Sequence, residues 1–378
     1  MTLNIAENAE LARKALRMEP TDGIPQKALN VMDIPLLEEI AGAAPGDYRR
    51  DPVSVYLDFQ RAAGTCFIDQ FIPENPLTMS SEGYTPDTKR TATTGAAAIE
   101  LDGIRVDSPE AVVEHMERFA FPELAKAAAE TPSPQKLVEK EASAQDLFGP
   151  DILKVPYDGF QAFPRFRYGQ YGYADYFMAY ALYPDVIEKD FRLQADAAIP
   201  RNAAAAAAII DGGLPPVVRL DHDMTDSRGT LVDVKSLDSI WFPHFARAVR
   251  PLLDAGVRLL WHCDGNVSPM VPRLIEAGVS GFQGFQYEDG VDYPAICRMK
   301  AKDGGALMVW AGVSVTRTLP HGSKDDVKRE LAWLVENGPR VGMVLGASSS
   351  IVPGAKRENV RTLVEGLKHY RTKGRAGG

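Results

Sequence analysis

Polar side chains that can bind metals or move protons follow several apolar segments of the chain, at the points where these segments end. They are Asp221 and Asp223 after residues 216–220, His262 and Asp264 at the end of 257–262, Glu288 after 278–285, and Ser349 after 341–345. In a (β/α)8 barrel the reactive residues lie just after the carboxyl ends of the strands. Carboxylates and an imidazole brought together there can bind a divalent metal or exchange protons.

His262 and Asp264 are the strongest pair among these candidates. One residue separates them at a strand end, so their side chains point to the same side and can share one ligand. The alternative is structural, with His262 capping the strand by a hydrogen bond and residues 264–266 forming a turn. The sequence leaves both interpretations open.

Asp221 and Asp223 also share a side, and one of them is a candidate catalytic residue. Acidic residues after a strand commonly cap a helix or a loop, which is the structural alternative. Glu288 is a candidate ligand for substrate or metal, or else it faces solvent beside Asp289.

The segment 157–191 is dense in aromatic residues. Within it, residues 164–172 are rich in loop formers, so rings there can line a pocket at the barrel mouth and stack on a flat substrate. The alternative is that they pack in the core. We predict that four residues of this loop bind substrate: Phe166, Arg167, Tyr168 and Tyr171.

The elements that must position these residues alternate short apolar runs with helical stretches, the pattern of parallel strands joined by crossover helices. Predicted strands are 67–72, 152–155, 216–220, 257–262, 278–285, 306–313 and 341–345, and an eighth is expected near 190–200. We predict a single (β/α)8 (TIM) barrel domain over 1–378, an α/β fold, and the alternative is an open doubly wound sheet. Residues 1–64 are a helical extension, and 76–150 an insertion with a β-hairpin and helices.

Composition excludes several classes of protein. The net charge of -9 disfavours nucleic-acid binding, which needs clustered Lys and Arg. No apolar run approaches the roughly 20 residues that span a bilayer, and no signal peptide is evident, so we expect a cytoplasmic protein without a membrane partner. Three scattered cysteines do not make a disulfide framework. Nucleotide-binding glycine patterns and a G-x-S-x-G elbow are absent from the sequence.

The order of these features resembles the uroporphyrinogen decarboxylase superfamily, which includes corrinoid-dependent methyltransferases. The resemblance covers nearly the whole chain. It rests on E-P-T-D-G-I-P at 19–25, H-C-D-G-N at 262–266, Gly312 with Leu319 and Gly322, and I-V-P at 351–353 followed by E-N-V at 358–360.

Two departures from the family pattern narrow what the resemblance implies. Residues 27–33 stand where the decarboxylases carry an arginine-bearing M-R-Q-A-G-R signature, which argues against a porphyrinogen substrate. The methyltransferases hold zinc with an H-x-C element and a distant cysteine. His262 keeps the histidine, whereas Asp264 and Ser349 stand at the cysteine positions. Histidine with carboxylate is a harder ligand set than two thiolates and suits oxygen substrates.

The resemblance thus implies an O-demethylase component, a methyltransferase that passes a methyl group from a methoxylated aromatic compound to the cobalt of a corrinoid (cobalamin) carried by a partner protein. Zinc, bound by His262 and Asp264, or a protonated side chain would stabilise the leaving oxygen. The runner-up is a cofactor-independent decarboxylase of a small or aromatic acid, which arginines 165, 167 and 219 converging on a pocket would favour. A non-catalytic binding protein is the third class. A homodimer is left open.

Overall fold

The computed structural model describes residues 5–74 and 99–377 of the chain. The predicted insertion at 76–150 is therefore seen in part, because residues 76–98 lie outside the described residues. Its remainder contains the short hairpin β2 (Ile99–Leu101) and β3 (Ile104–Val106), followed by helices.

The helices begin at recognisable caps and often end at glycine. Asp33, Asp51, Ser108 and Ser133 each accept a backbone N–H from the first turn of the helix that follows, and proline stands in that first turn. The α-helices are α1 (Ile5–Leu16), α2 (Ile34–Ala41), α3 (Asp47–Arg50), α4 (Pro52–Ala63), α5 (Pro109–His115), α6 (Phe121–Ala128), α7 (Pro134–Phe148), α8 (Tyr168–Tyr171), α9 (Tyr173–Leu182), α10 (Pro184–Asp211), α11 (Val234–Ile240), α12 (Phe242–Asp254), α13 (Val271–Glu276), α14 (Tyr293–Arg298), α15 (Thr318–His321), α16 (Lys324–Asn337) and α17 (Arg357–Lys373). A π-helical turn, Met116–Ala120, joins α5 to α6.

A five-stranded parallel sheet forms the larger part of the β-structure, with strand order β11-β10-β9-β8-β5. Its strands are β5 (Val217–Asp221), β8 (Arg258–His262), β9 (Val279–Gln283), β10 (Met308–Val313) and β11 (Met343–Ala347). The helices after these strands return the chain to the next parallel strand. The α/β class predicted from the sequence is confirmed.

A second parallel pair, β1 (Phe67–Ile68) with β4 (Leu153–Lys154), is linked to this sheet through the segment 25–28. Gln26 forms a parallel bridge with Leu345 of β11, and Lys27 forms one with Phe67 of β1. Over 5–74 and 99–377, no strand pairing joins β4 to β5. A short hairpin, β6 (Thr225–Asp226) with β7 (Gly229–Thr230), follows β5.

The prediction of a strand near 190–200 is wrong. These residues belong to α10, a helix of 28 residues that continues through Pro200. Its alanine-rich second half favours helix because alanine has the highest helix propensity. Among the described residues no strand takes its place between β4 and β5; segment 25–28 lies instead between β11 and β1.

The apolar inner faces of the strands and the surrounding helices bury one main core, with a smaller cluster that contains Phe67, Leu260 and Trp310. No described helix is both long enough and apolar enough to cross a membrane.

Candidate functional site

The described residues enclose a cavity of about 160 Å³ at the carboxyl ends of the parallel strands. Polar groups dominate its wall. They are Lys27, Asn30, Asp69, Gln70, Arg219, Asp221, His262, Gln283, Ser349 and Ser350. Because these residues follow or end several different strands and segments, the cavity lies where the strand-end rule expects an active site.

Arg219 is the buried cation of this wall and holds two carboxylates. Its Nε donates to Asp69 at 2.6 Å, and one terminal nitrogen donates to Asp221 at 2.6 Å. The ring of Tyr157 lies under the guanidinium, 4.6 Å from its carbon. Arg219 therefore connects β5 to the end of β1, and each of its three nitrogens already donates one hydrogen bond to the protein.

This network keeps Asp221 ionised. Burial alone would raise the pKa of the carboxyl, but the charges of His262 and Arg219 and the hydrogen bonds from Tyr157 and Arg219 hold it below its usual range. The Tyr157 hydroxyl donates to Asp221 at 2.9 Å. In the same way the pKa of Asp69 is lowered despite burial, chiefly by Arg219.

His262 lies at the centre of the predicted set. Its Nδ1 is 3.3 Å from the backbone oxygen of Gln283. A proton on Nδ1 would be donated to that oxygen, which leaves the Nε2 lone pair available to a ligand. Nε2 lies 4.0 Å from a carboxylate oxygen of Asp221 and 4.0 Å from one of Asp264.

Asp223, His262 and Asp264 each offer a ligand atom, and these atoms lie within 4.8 Å of one another. The backbone N–H of Asp264 donates to Asp223 at 2.9 Å. Burial and the charge of Asp264 nevertheless raise the pKa of the Asp223 carboxyl. Two crowded carboxylates beside an imidazole nitrogen fit a divalent cation, which would relieve their repulsion. The predicted pair His262 and Asp264 thus converges, with Asp223 as a third donor.

Asp264 is half-exposed and is oriented by two neighbours. Ser349 donates to its Oδ2 at 3.4 Å, and Gln286 donates to its Oδ1 at 3.2 Å. The oxygen of the Gln286 amide accepts the N–H of Gly265 at 2.7 Å. Ser349 therefore lies at the predicted site and supports the carboxylate beside it.

Cys263 points away from this group. Its buried sulfur accepts the N–H of Met224 at 3.2 Å and lies 3.2 Å from the Thr225 hydroxyl. Burial and the charge of Asp223 raise the pKa of the thiol to about 12. This sulfur is protonated and structural.

The aromatic loop is engaged mainly with the protein. Phe166 is buried among core rings, and the Tyr171 hydroxyl lies 2.9 Å from His115 Nδ1. Arg167 forms an ion pair at 3.0 Å with the fully buried Asp190. These residues are not among those that line the cavity, and substrate binding by them stays a prediction.

Tyr168 and Glu288 lie nearer the predicted mouth. Tyr168 stacks on His222, with ring centres 5.8 Å apart, and donates to the backbone oxygen of Asp223 at 2.9 Å. Burial lowers the pKa of His222 to about 3, and its Nε2 accepts the N–H of Phe166. Glu288 accepts hydrogen bonds from Ser314 and Thr316 beyond β10. Substrate binding by Tyr168 and Glu288 also stays a prediction.

Sequence reasoning missed Lys27, Asn30 and Asp69 as cavity residues. Asp69 directly follows β1. The rule that reactive residues follow the carboxyl ends of strands, which located the other candidates, could therefore have located Asp69 as well. Lys27 and Asn30 gave no such signal, because segment 25–28 makes isolated bridges and lacks the pattern of a strand.

The fold and cavity define an α/β protein whose parallel strands carry a histidine and several carboxylates at their carboxyl ends. No protein-family profile and no curated protein matches the chain. Among solved structures, a methyltransferase from Methanosarcina mazei is similar with a TM-score of 0.58 at 17% sequence identity, over 96% of this chain and 98% of that one. The two proteins therefore share a fold over nearly their whole lengths.

Proposed function

We propose that this chain is a methyltransferase of the uroporphyrinogen decarboxylase superfamily, which passes a methyl group from a methoxylated aromatic compound to the cobalt of a corrinoid on a partner protein. The observation that carries the proposal is the convergence of His262, Asp223 and Asp264 beside a small polar cavity. The shared fold with the Methanosarcina mazei methyltransferase supports it.

The proposal includes a closed (β/α)8 barrel. Eight parallel segments are available for such a barrel. They are the five strands of the large sheet, the pair β1 and β4, and segment 25–28. Among the described residues, pairing joins each neighbouring couple except β4 and β5. Arg219 supports closure at this junction, since its ion pair with Asp69 connects β5 to the end of β1.

The site suits an ether oxygen as its target. His262 Nε2 with the Asp264 and Asp223 carboxylates would hold a zinc ion, and such an ion supplies a Lewis acid that polarises the oxygen. Ser349 and Gln286 keep Asp264 in place. Asp221, held ionised by Arg219 and Tyr157, lies 4.0 Å from the same nitrogen and would help to offset the positive charge of the ion.

The transfer balances as a displacement at the methyl carbon. The bond from that carbon to the aromatic oxygen breaks, and its electron pair stays on the oxygen. The Co(I) of the partner protein would supply the electron pair of the new bond, so the step would need no external oxidant or reductant. Stabilising the negative charge that develops on the oxygen is the protein's main task.

The size of the cavity limits the substrate. A cavity of about 150 Å³ accommodates benzene, and the cavity here is about 160 Å³. The space that the described residues line is therefore large enough for one aromatic ring.

The decarboxylase alternative receives no comparable support. Arg165 lies over the Phe163 ring and donates to Gln161, and Arg167 is paired with Asp190. Of the three arginines that the alternative requires, Arg219 lines the cavity, and each of its nitrogens already donates to Asp69, Gln70 or Asp221.

The test mixes the purified protein with a reduced corrinoid protein and a panel of aryl methyl ethers, and follows methylation of the cobalt by absorbance. We expect transfer from at least one ether, and its loss in His262→Ala. Cys263→Ala, at the adjacent buried thiol, serves as the matched control and should retain activity. Release of carbon dioxide from aromatic acids without transfer from any ether would establish the alternative.

A further inference from the structure

Lys27 extends into the cavity from the segment that lies between β11 and β1. Its backbone N–H donates to Leu345 at 3.0 Å, which fixes the start of the side chain. The methylene stem lies along Gly346, where a Cβ atom would come within 2.8 Å of two of its carbons. The absence of a side chain at residue 346 thus leaves the space that the lysine stem occupies.

The Lys27 ammonium is available to a ligand. Over 5–74 and 99–377 it makes no hydrogen bond and no ion pair, in contrast to Arg219, whose donors are held by Asp69, Gln70 and Asp221. An ammonium group that lines a cavity and has no partner among the described residues is a natural anchor for an anion.

We propose that Lys27 recognises a carboxylate on the substrate, so that the preferred substrates are methoxylated benzoic acids. The identification of the ligand as substrate rests on the proposed function, whereas the binding itself does not. The carboxylate would pair with Lys27 while the ring fills the cavity towards His262.

The surrounding charges favour a monoanion. Asp69, Asp221 and Asp264 all act on Lys27 through space, as does the like charge of Arg219. A dianionic phosphate would meet the repulsion of these three carboxylates, and the positive charge available to offset it is that of Lys27 and of Arg219, which is already paired. A carboxylate carries half that charge and matches the one ammonium group.

The electrostatics of the free site agree with this geometry. Burial, followed by the charge of Arg219, lowers the pKa of Lys27 to about 8. The ammonium form is therefore less stable than in water, and a bound carboxylate would restore its stability.

The experiment measures dissociation constants by calorimetry for two probes of nearly equal shape, 4-methoxybenzoate and the neutral 4-methoxybenzamide, at pH 6.5. The quantity of interest is the ratio of their affinities. We expect the wild type to prefer the benzoate at least tenfold. Lys27→Met should abolish the preference, and Lys27→Arg should retain it because it keeps a positive charge. Lys328→Met, at a lysine whose side chain is 66% exposed, is the matched control and should behave as the wild type.

The same preference in Lys27→Met as in the wild type would overturn the inference, as would its absence from the wild type. The methyl-transfer assay distinguishes this failure from failure of the proposed function. Methyl transfer from neutral ethers without a preference for benzoate would refute the role of Lys27 and leave the proposed function standing. Benzoate binding through Lys27 without any transfer would remove the proposed function and leave the carboxylate site standing.

Discussion

Gly284 lies directly against the imidazole of His262. A Cβ atom at residue 284 would come 2.8 Å from His262 Nδ1 and 2.8 Å from the backbone oxygen of Ser348. The ring therefore depends on a glycine at the end of the neighbouring strand for its position, and on Gln283 in that strand for the orientation of Nδ1.

Gly284→Ala should displace the imidazole and weaken zinc binding about 10-fold or more, the effect typical of losing the support of a metal ligand. Titration with zinc against a competing chelator measures this. Gly304→Ala is the matched control, since Gly304 has a φ of 82°, close to the 78° of Gly284, and a Cβ atom there would meet no described atom within 4 Å. Equal zinc affinity in both variants would show that contact with His262 does not matter.

The zinc content of two variants should show that His262 is a zinc ligand and that its neighbour in sequence, Cys263, is not. His262→Ala removes the nitrogen of the candidate metal group and should lose stoichiometric zinc, whereas Cys263→Ala should retain it because the sulfur faces Met224 and Thr225. Elemental analysis after dialysis against a weak chelator gives the answer. If zinc is lost from Cys263→Ala and retained by His262→Ala, the assignment of the ligands is wrong.

Affinity for benzoates should depend on pH through Lys27. The ammonium is charged below its pKa of about 8 and neutral above it. Affinity for 4-methoxybenzoate is therefore expected to be greatest below pH 7 and to fall as the pH rises towards 9.5, while affinity for the benzamide stays constant. Lys27→Arg should show a flat profile, because arginine stays protonated over this range. If the affinity of Lys27→Arg for 4-methoxybenzoate falls with pH as much as that of the wild type, another group causes the pH dependence.

Arg219→Met should destabilise the fold as well as the site. It leaves Asp69 and Asp221 without their cation in a buried setting, and breaking a buried pair in this way costs about 3–5 kcal/mol. Urea unfolding at pH 7 measures the loss. A second substitution, Asp69→Asn, should recover part of it by removing one of the unpaired charges.

The pH dependence of the same variant gives an independent check. The pKa of Asp69 is lowered in the folded wild type, so the stability that this ionisation contributes is present at neutral pH and is lost as the pH falls through the folded pKa. The difference between wild type and Arg219→Met should therefore shrink in acid. Arg228→Met, at a surface arginine paired with Asp226, should be indistinguishable from wild type at every pH.

Strand-end reasoning located part of the candidate site because β5 and β8 are short, mostly apolar strands that end in polar residues. His262, Asp264, Asp221 and Asp223 lie within reach of one another as a result. The alternative that Asp223 has a structural role, in which it caps a loop, is also partly true. Its carboxylate accepts the backbone N–H of Asp264.

The rest could not be predicted because the local pattern there is weak or points elsewhere. Segment 25–28 contains Pro25, which has no N–H to donate, and bonds to two different strands through single bridges. Helix α10 contains Pro200, which favours a break in the helix, yet the helix continues through it and packs against α12 and α6. The conformation of both segments therefore depends on tertiary contacts, which the local sequence does not reveal.

The burial of Cys263 has a practical meaning for this protein. Peroxides and alkylating agents attack thiolates, and this sulfur is both protonated and enclosed. The candidate ligands Asp223, His262 and Asp264 offer nitrogen and oxygen atoms alone. A cluster built in this way has no sulfur to oxidise, so its ability to bind a metal ion should survive exposure to air.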